Sequence, residues 1–142
     1  MQAASDMALA MVNGTSSGLG LVLAVVFGAD GCELAAGVRL LCTGADNGQT
    51  WTMGNVVITS KSSGKFYGRA GLADHEFGHS GQWAAAGGTI PFLLSWGAMA
   101  GISWLGSTPA QQGGGGCWNL WELWAGPGGT YETKCAGVGL WP

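Results

Sequence analysis

Charge is scarce in this chain. Asp, Glu, Lys and Arg together make up 9% of 142 residues, against roughly a quarter in an ordinary soluble domain. Only five residues are Lys or Arg, and the net charge is −3. No basic patch exists to neutralise phosphates, which argues against nucleic acid as a partner. No basic residue precedes Arg39, so Leu19–Phe27 lacks the positive flank of a secretory leader. That run is also shorter than the roughly 20 residues a spanning helix needs. The four cysteines, Cys32, Cys42, Cys117 and Cys135, form no paired CxxC knuckles, which disfavours a tetrathiolate metal site. Two disulfides or free thiols both remain open, and the compartment is not readable from them. In the absence of a leader the default expectation is cytoplasmic, with membrane association as the rival.

The 28 glycines and 8 tryptophans are the compositional counterweight. The length suits one domain. Residues 1–18 are small and polar around NGTSSG and read as a flexible N-terminus ahead of a domain over 19–142. Leu19–Phe27 alternates larger and smaller apolar residues and reads as a strand. Glu33–Cys42 and Trp51–Thr59 read as two more, joined by turns rich in Gly, Asp and Asn. Short turns between strands favour a small antiparallel sheet of about three strands.

The pattern then becomes helical. Gly71–Ala86 carries helical spacing and is closed by Gly87–Gly88. Pro91 suits the start of a second helix over Ile90–Leu105. No charged residue lies between Glu76 and Glu122. Residues 90–105 therefore have a membrane flavour, though their length and two glycines fit a buried or interfacial helix better. A third short helix is expected over Trp118–Ala125. The fold class is α+β: the sheet first, then two or three helices.

The chain's two histidines stand in ADHEFGHSGQW, as His75 and His79 around Glu76. Residues four apart on a helix share a face, so both imidazoles can reach one tetrahedral zinc ion. Glu76 then sits where it can take a proton from the bound water. The bland alternative is a surface helix with two ordinary polar histidines. A third ligand is required. Asp74 points about 100° away from His75 around the helix and is a poor choice. Glu122, in NLWELWAG, shares a helix face with the small Ala125. Its rival role is a capping box with Asn119. Glu132 has no helical context but stays a candidate.

HExxH followed by a helix bearing ExxA resembles the gluzincin type of zincin metallopeptidase. A nearer likeness is to small actinobacterial proteins with HExxHxxQW, an apolar helix, a cysteine, NxxExxAG and a Gly-Gly-Tyr ending. Here the matching residues are His75, Glu76, His79, Gln82, Trp83, Cys117, Asn119, Glu122, Ala125, Gly126, Gly128, Gly129 and Tyr131. GNVVIT (54–59) also resembles the strand that precedes the helix in those proteins. The likeness covers about residues 19–131. It implies His75, His79 and Glu122 as zinc ligands and Glu76 as general base but supplies no substrate; a peptide or protein substrate is the expectation of the metallopeptidase reading. Two departures stand out. Gly78 costs about 1 kcal/mol inside a helix, and Gly126 replaces the aspartate that would orient a ligating histidine.

For the oxyanion donor of such a reaction the available groups are Tyr131, Tyr67 and Arg69, with Tyr131 first because it follows the ligand helix. Gln82 and Trp83 read as residues that close or pack the helix. The remaining tryptophans read as core or interface. GGGG (113–116) is no phosphate loop, since Gly-Lys-Ser/Thr is missing. Two readings result. One is a small zinc-dependent hydrolase. The other is a non-catalytic, membrane-associated structural or interaction protein with a vestigial or structural metal site.

Overall fold

The apolar residues of β-strands in the middle of the chain alternate between two destinations, and this sets the architecture. A computed structural model describes residues 2–105 and 119–125. Its elements are α1 (Gln2–Val26), β1 (Gly31–Ala36), β2 (Arg39–Thr43), β3 (Thr50–Met53), β4 (Val56–Thr59), α2 (Ser63–Tyr67), α3 (Leu72–Ala85), α4 (Thr89–Leu105) and α5 (Leu120–Ala125). Leu40, Cys42, Val56 and Ile58 meet Leu23 and Ala24 of α1 and Phe27 just beyond its end. Leu41 and Val57 point the other way, into Phe66 of α2 and Leu72, Ala73 and Phe77 of α3. The sheet is thus covered on both faces, as the continuous apolar run VVI of β4 requires.

The α+β expectation holds, with a richer sheet than the one read from sequence. The strand order is β1-β2-β4-β3. Glu33–Cys42 is not one strand but most of a hairpin, folding back between β1 and β2. Trp51–Thr59 likewise divides into β3 and β4 around Gly54–Asn55. The two hairpins meet through a parallel β2–β4 pair, Leu41 opposite Val57. The sheet is therefore mixed rather than antiparallel throughout. Cys32 and Cys42 face each other across the first hairpin and are joined as a disulfide. Cys117 and Cys135 lie outside the described residues.

The largest correction is at the N-terminus. Residues 2–18 and the segment Leu19–Phe27 form one helix as far as Val26, not a loose arm and a strand. Ala3, Ala4, Met7, Ala8, Leu9 and Ala10 are strong helix formers, and no proline occurs before Pro91. The apparent alternation in 19–27 is overruled by burial at Leu9, Asn13, Ser16, Gly20 and Ala24, a helical spacing. Asn13 fixes this helix to the rest. Its Nδ2 donates to Asn55 Oδ1 and to the Ser80 carbonyl, both at 2.8 Å. Asn55 in turn donates from Nδ2 to the Leu9 carbonyl at 3.1 Å.

The remaining helices fall close to their expected bounds. α2 adds one short turn between the sheet and α3. Among the described residues, α1 contains a window, Asp6–Val26, long and apolar enough to cross a bilayer. α3 and α4 also pass that test as a pair, bent by 118°. α4 is mostly exposed, with only Phe92 and Ser103 buried.

Candidate metal centre

α3 begins after Gly71 and carries Asp74 in its first turn, where a carboxylate suits the helix dipole. Asp74 is exposed and, as its position on the helix implies, turns away from the histidines. His75, Glu76 and His79 are buried, at 4%, 5% and 8% exposure. The helix meets β3 on one side. The Thr52 hydroxyl donates to Glu76 Oε2 at 2.6 Å, and Trp83 Nε1 donates to the Thr52 carbonyl at 3.2 Å.

On the other side α3 meets α5, and Gly78 explains how closely. A methyl group at position 78 would collide with the Ala125 carbonyl oxygen and lie 2.9 Å from Ala125 Cα. The glycine inside HEFGH is therefore a close-approach residue, and Ala125 supplies the matching small surface. Asn119 caps α5, its Oδ1 accepting from Trp121 N at 3.1 Å. Glu122 does not reach back to complete a capping box. Its carboxylate crosses to α3 instead.

There it brings the third donor into place. His75 Nε2 and His79 Nε2 each lie 3.3 Å from Glu122 Oε2. One donor atom from each of His75, His79 and Glu122 fits within 4.8 Å of the others. A direct imidazolium–carboxylate hydrogen bond is shorter, about 2.7–2.9 Å. Donors about 2.1 Å from a shared tetrahedral ion stand roughly 3.4 Å apart. The observed spacing falls between the two and leaves room for a shared ion.

The hydrogen bonds behind the cluster fix its chemistry further. Gln82 Nε2 donates to the Trp121 carbonyl at 2.6 Å, and a carbonyl only accepts. That orientation turns Gln82 Oε1 toward His79 Nδ1, 2.8 Å away, so Nδ1 carries a proton. Nε2 then faces the Glu122 carboxylate, donating to it in the protonated ring and offering a lone pair to a shared cation in the neutral one. Trp96 Nε1 donates to the other oxygen, Oε1, at 2.9 Å, leaving Oε2 to face the histidines. Two imidazoles and one carboxylate are a donor set suited to a divalent first-row metal.

Charge follows the same geometry. Burial raises the pKa of Glu122, but hydrogen bonding to His75 and His79, the charge of His79 and the Trp96 indole outweigh it, holding the carboxyl at about 2. Burial lowers that of His79, yet hydrogen bonding and charge from Glu122, with help from Glu76 and Gln82, raise it above the usual value. For Glu76 burial wins and pushes its carboxyl up, against the charges of His79 and His75 and the Thr52 hydroxyl.

The other sequence candidates divide clearly. Tyr131 and Glu132 lie outside the described residues. Tyr67 sits on α2, half-exposed, edge-on to Phe66 and under the influence of Glu33. Gln82, read as a packing residue, is the link between His79 and α5. Trp96, read as core, is a direct partner of Glu122. Thr52 carried no signal in the sequence, because its contact with Glu76 spans 24 positions.

Comparison with protein-family models, curated proteins and solved structures gives no match to this chain. The likeness to zincins accordingly stands on the residues of the cluster themselves.

Proposed function

We propose that the protein is a zinc-dependent hydrolase of metallopeptidase type. The observation that carries this reading is the convergence of His75 Nε2, His79 Nε2 and Glu122 Oε2, with pairs at 3.3 Å, beside a second buried carboxylate. His75, His79 and Glu122 would hold the ion. When bound, zinc supplies Lewis acidity toward a water molecule and a substrate carbonyl. Glu76 accepts the proton of the attacking water and passes it to the leaving amine. Its raised pKa suits a group that must take and then release a proton. Thr52 holds one carboxylate oxygen of Glu76 and so sets its rotamer. Gln82 keeps Nε2 of His79 directed at the ion by retaining the proton on Nδ1.

Elemental analysis of the purified chain tests the first half. One zinc per chain, lost in His79→Ala, is the expected result, and a protein that takes up no metal from zinc solution overturns the reading. Glu76→Gln tests the second half. It should retain zinc and lose turnover of a quenched fluorescent peptide pool by about 10²–10⁴-fold. The deep burial of all four groups favours one alternative, a structural ion pinning α5 to α3. Zinc binding with no turnover in the wild type would establish that alternative.

A further inference from the structure

Helix α1 wears its residues inside out. The stripe facing the sheet is Leu9, Asn13, Ser16, Gly20 and Ala24, all buried. Gly20 is so close that a methyl group there would sit 2.9 Å from Val56 Cβ. The opposite stripe holds Met7, Met11, Val22 and Val25, and Met11 and Val25 are 78% and 80% exposed. No charged residue occurs between Asp6 and Asp30. A helix on the surface of a water-facing domain has the reverse polarity. Largely small and polar residues toward the protein, Leu9 and the half-buried Leu23 excepted, with large aliphatic ones outward, is the arrangement of a helix whose outer medium is hydrocarbon.

α4 carries a second uncharged outer face. It starts against the middle of α1, where Ser16 Oγ and Thr89 Oγ1 share a hydrogen bond at 2.5 Å. Its outward residues include Ile90, Leu93, Leu94, Ile102 and Trp104, again with no charge among them. A protein partner of ordinary kind meets a polar rim around its apolar centre. Among the described residues, Asp6 is the one charged side chain on either helix.

We propose that the outward faces of α1 and α4 rest on a lipid bilayer. α1 lies along the bilayer rather than through it, because the sheet accompanies its whole length. At one end the Asp6 carboxylate abuts Gly37 in the turn after β1. At the other end the Phe27 carbonyl accepts from Asp46 N at 2.6 Å. The exposed Glu33 and Asp46 ride with that sheet and belong in water. Attachment is by apolar burial alone, since net charge −3 gives no attraction to anionic lipid. This inference is independent of the metal reading.

Flotation of the full chain with pure phosphatidylcholine vesicles tests it. The wild type should float, equally at low and high salt and equally with or without a chelator. The double variants Val22→Asp with Val25→Asp, and Leu94→Asp with Ile102→Asp, change only exposed side chains. Each should reduce the floated fraction tenfold or more, with an unchanged circular dichroism spectrum. Val22→Leu with Val25→Leu should float as the wild type does. A wild type that stays at the bottom of the gradient, whether as a monomer or as a dimer closed over these faces, overturns the proposal. So do aspartate variants that fold and float undiminished.

Discussion

Gln82 gives His79 the two things that the proposed ligand role needs, a fixed proton and a fixed place. Its carbonyl oxygen holds Nδ1–H of His79 while its amide nitrogen is held by α5. The aspartate expected near position 126 by likeness to gluzincins is a glycine here, and Gln82 does the orienting from within α3. Gln82→Ala should therefore weaken zinc binding by about 10–100-fold, read by competition with a chromophoric chelator. An affinity equal to the wild type would reduce Gln82 to a packing residue. The same cluster sets the acid and alkaline limits of the chelated protein. Glu122 has a lowered pKa in the fold, so its stabilisation is complete above the ordinary carboxyl pKa and lost as pH falls toward about 2. His79 has a raised pKa, so its stabilisation is complete below about 6.5 and lost as pH rises through the raised value. Glu76 is raised by burial and contributes in the His79 direction. Thermal unfolding in chelator should then show greatest stability in weakly acid solution. A midpoint still rising from neutral to alkaline pH would contradict these directions.

Elements reveal why some of this was readable beforehand and some was not. The donors on α3 were legible because i and i+4 spacing is local. Glu122 was legible as one of several candidates, because a short helix with Ala125 could offer it. Its partner Trp96, 26 positions away, and Thr52, 24 positions from Glu76, are products of packing across the chain. α1 was misread for a physical reason. Helical periodicity shows in a sequence when the buried positions are the apolar ones. In α1 the buried positions are largely small or polar, so only the local alternation of 19–27 was visible. Gly78 was read as a cost and is in fact the contact point of α3 with α5. Alanine there gains about 1 kcal/mol in helix propensity but strikes the backbone of α5. We expect Gly78→Ala to destabilise by about 1–3 kcal/mol net in urea unfolding and to lower zinc affinity with it. A stabilised variant would show that α5 does not approach so closely.

At the scale of the whole molecule, the α+β class was legible and its layering was not. Strand segments were found, but the turns inside Glu33–Cys42 and Trp51–Thr59 were absorbed into longer strands. The parallel β2–β4 pair depends on which hairpins adjoin, and no local pattern records that. The arrangement separates three surfaces. Exposed acidic groups such as Glu33 and Asp46 accompany the sheet, the donor cluster lies between α3 and α5, and the uncharged outer faces belong to α1 and α4. Vesicle flotation is a property of this scale, because it needs the outer faces of two helices far apart in sequence to meet the same medium.

The cluster is divided unequally along the chain. Two donors and Glu76 lie within five consecutive residues, and the third donor follows His79 at Glu122, on the far side of α4. During synthesis α3 emerges first, carrying two of the three donors. The cluster is complete once α5 has emerged and settled against Gly78. On the proposed reading, a hydrolytic centre built in this order would stay inert toward its own unfinished chain, and its last ligand would act as a timing device.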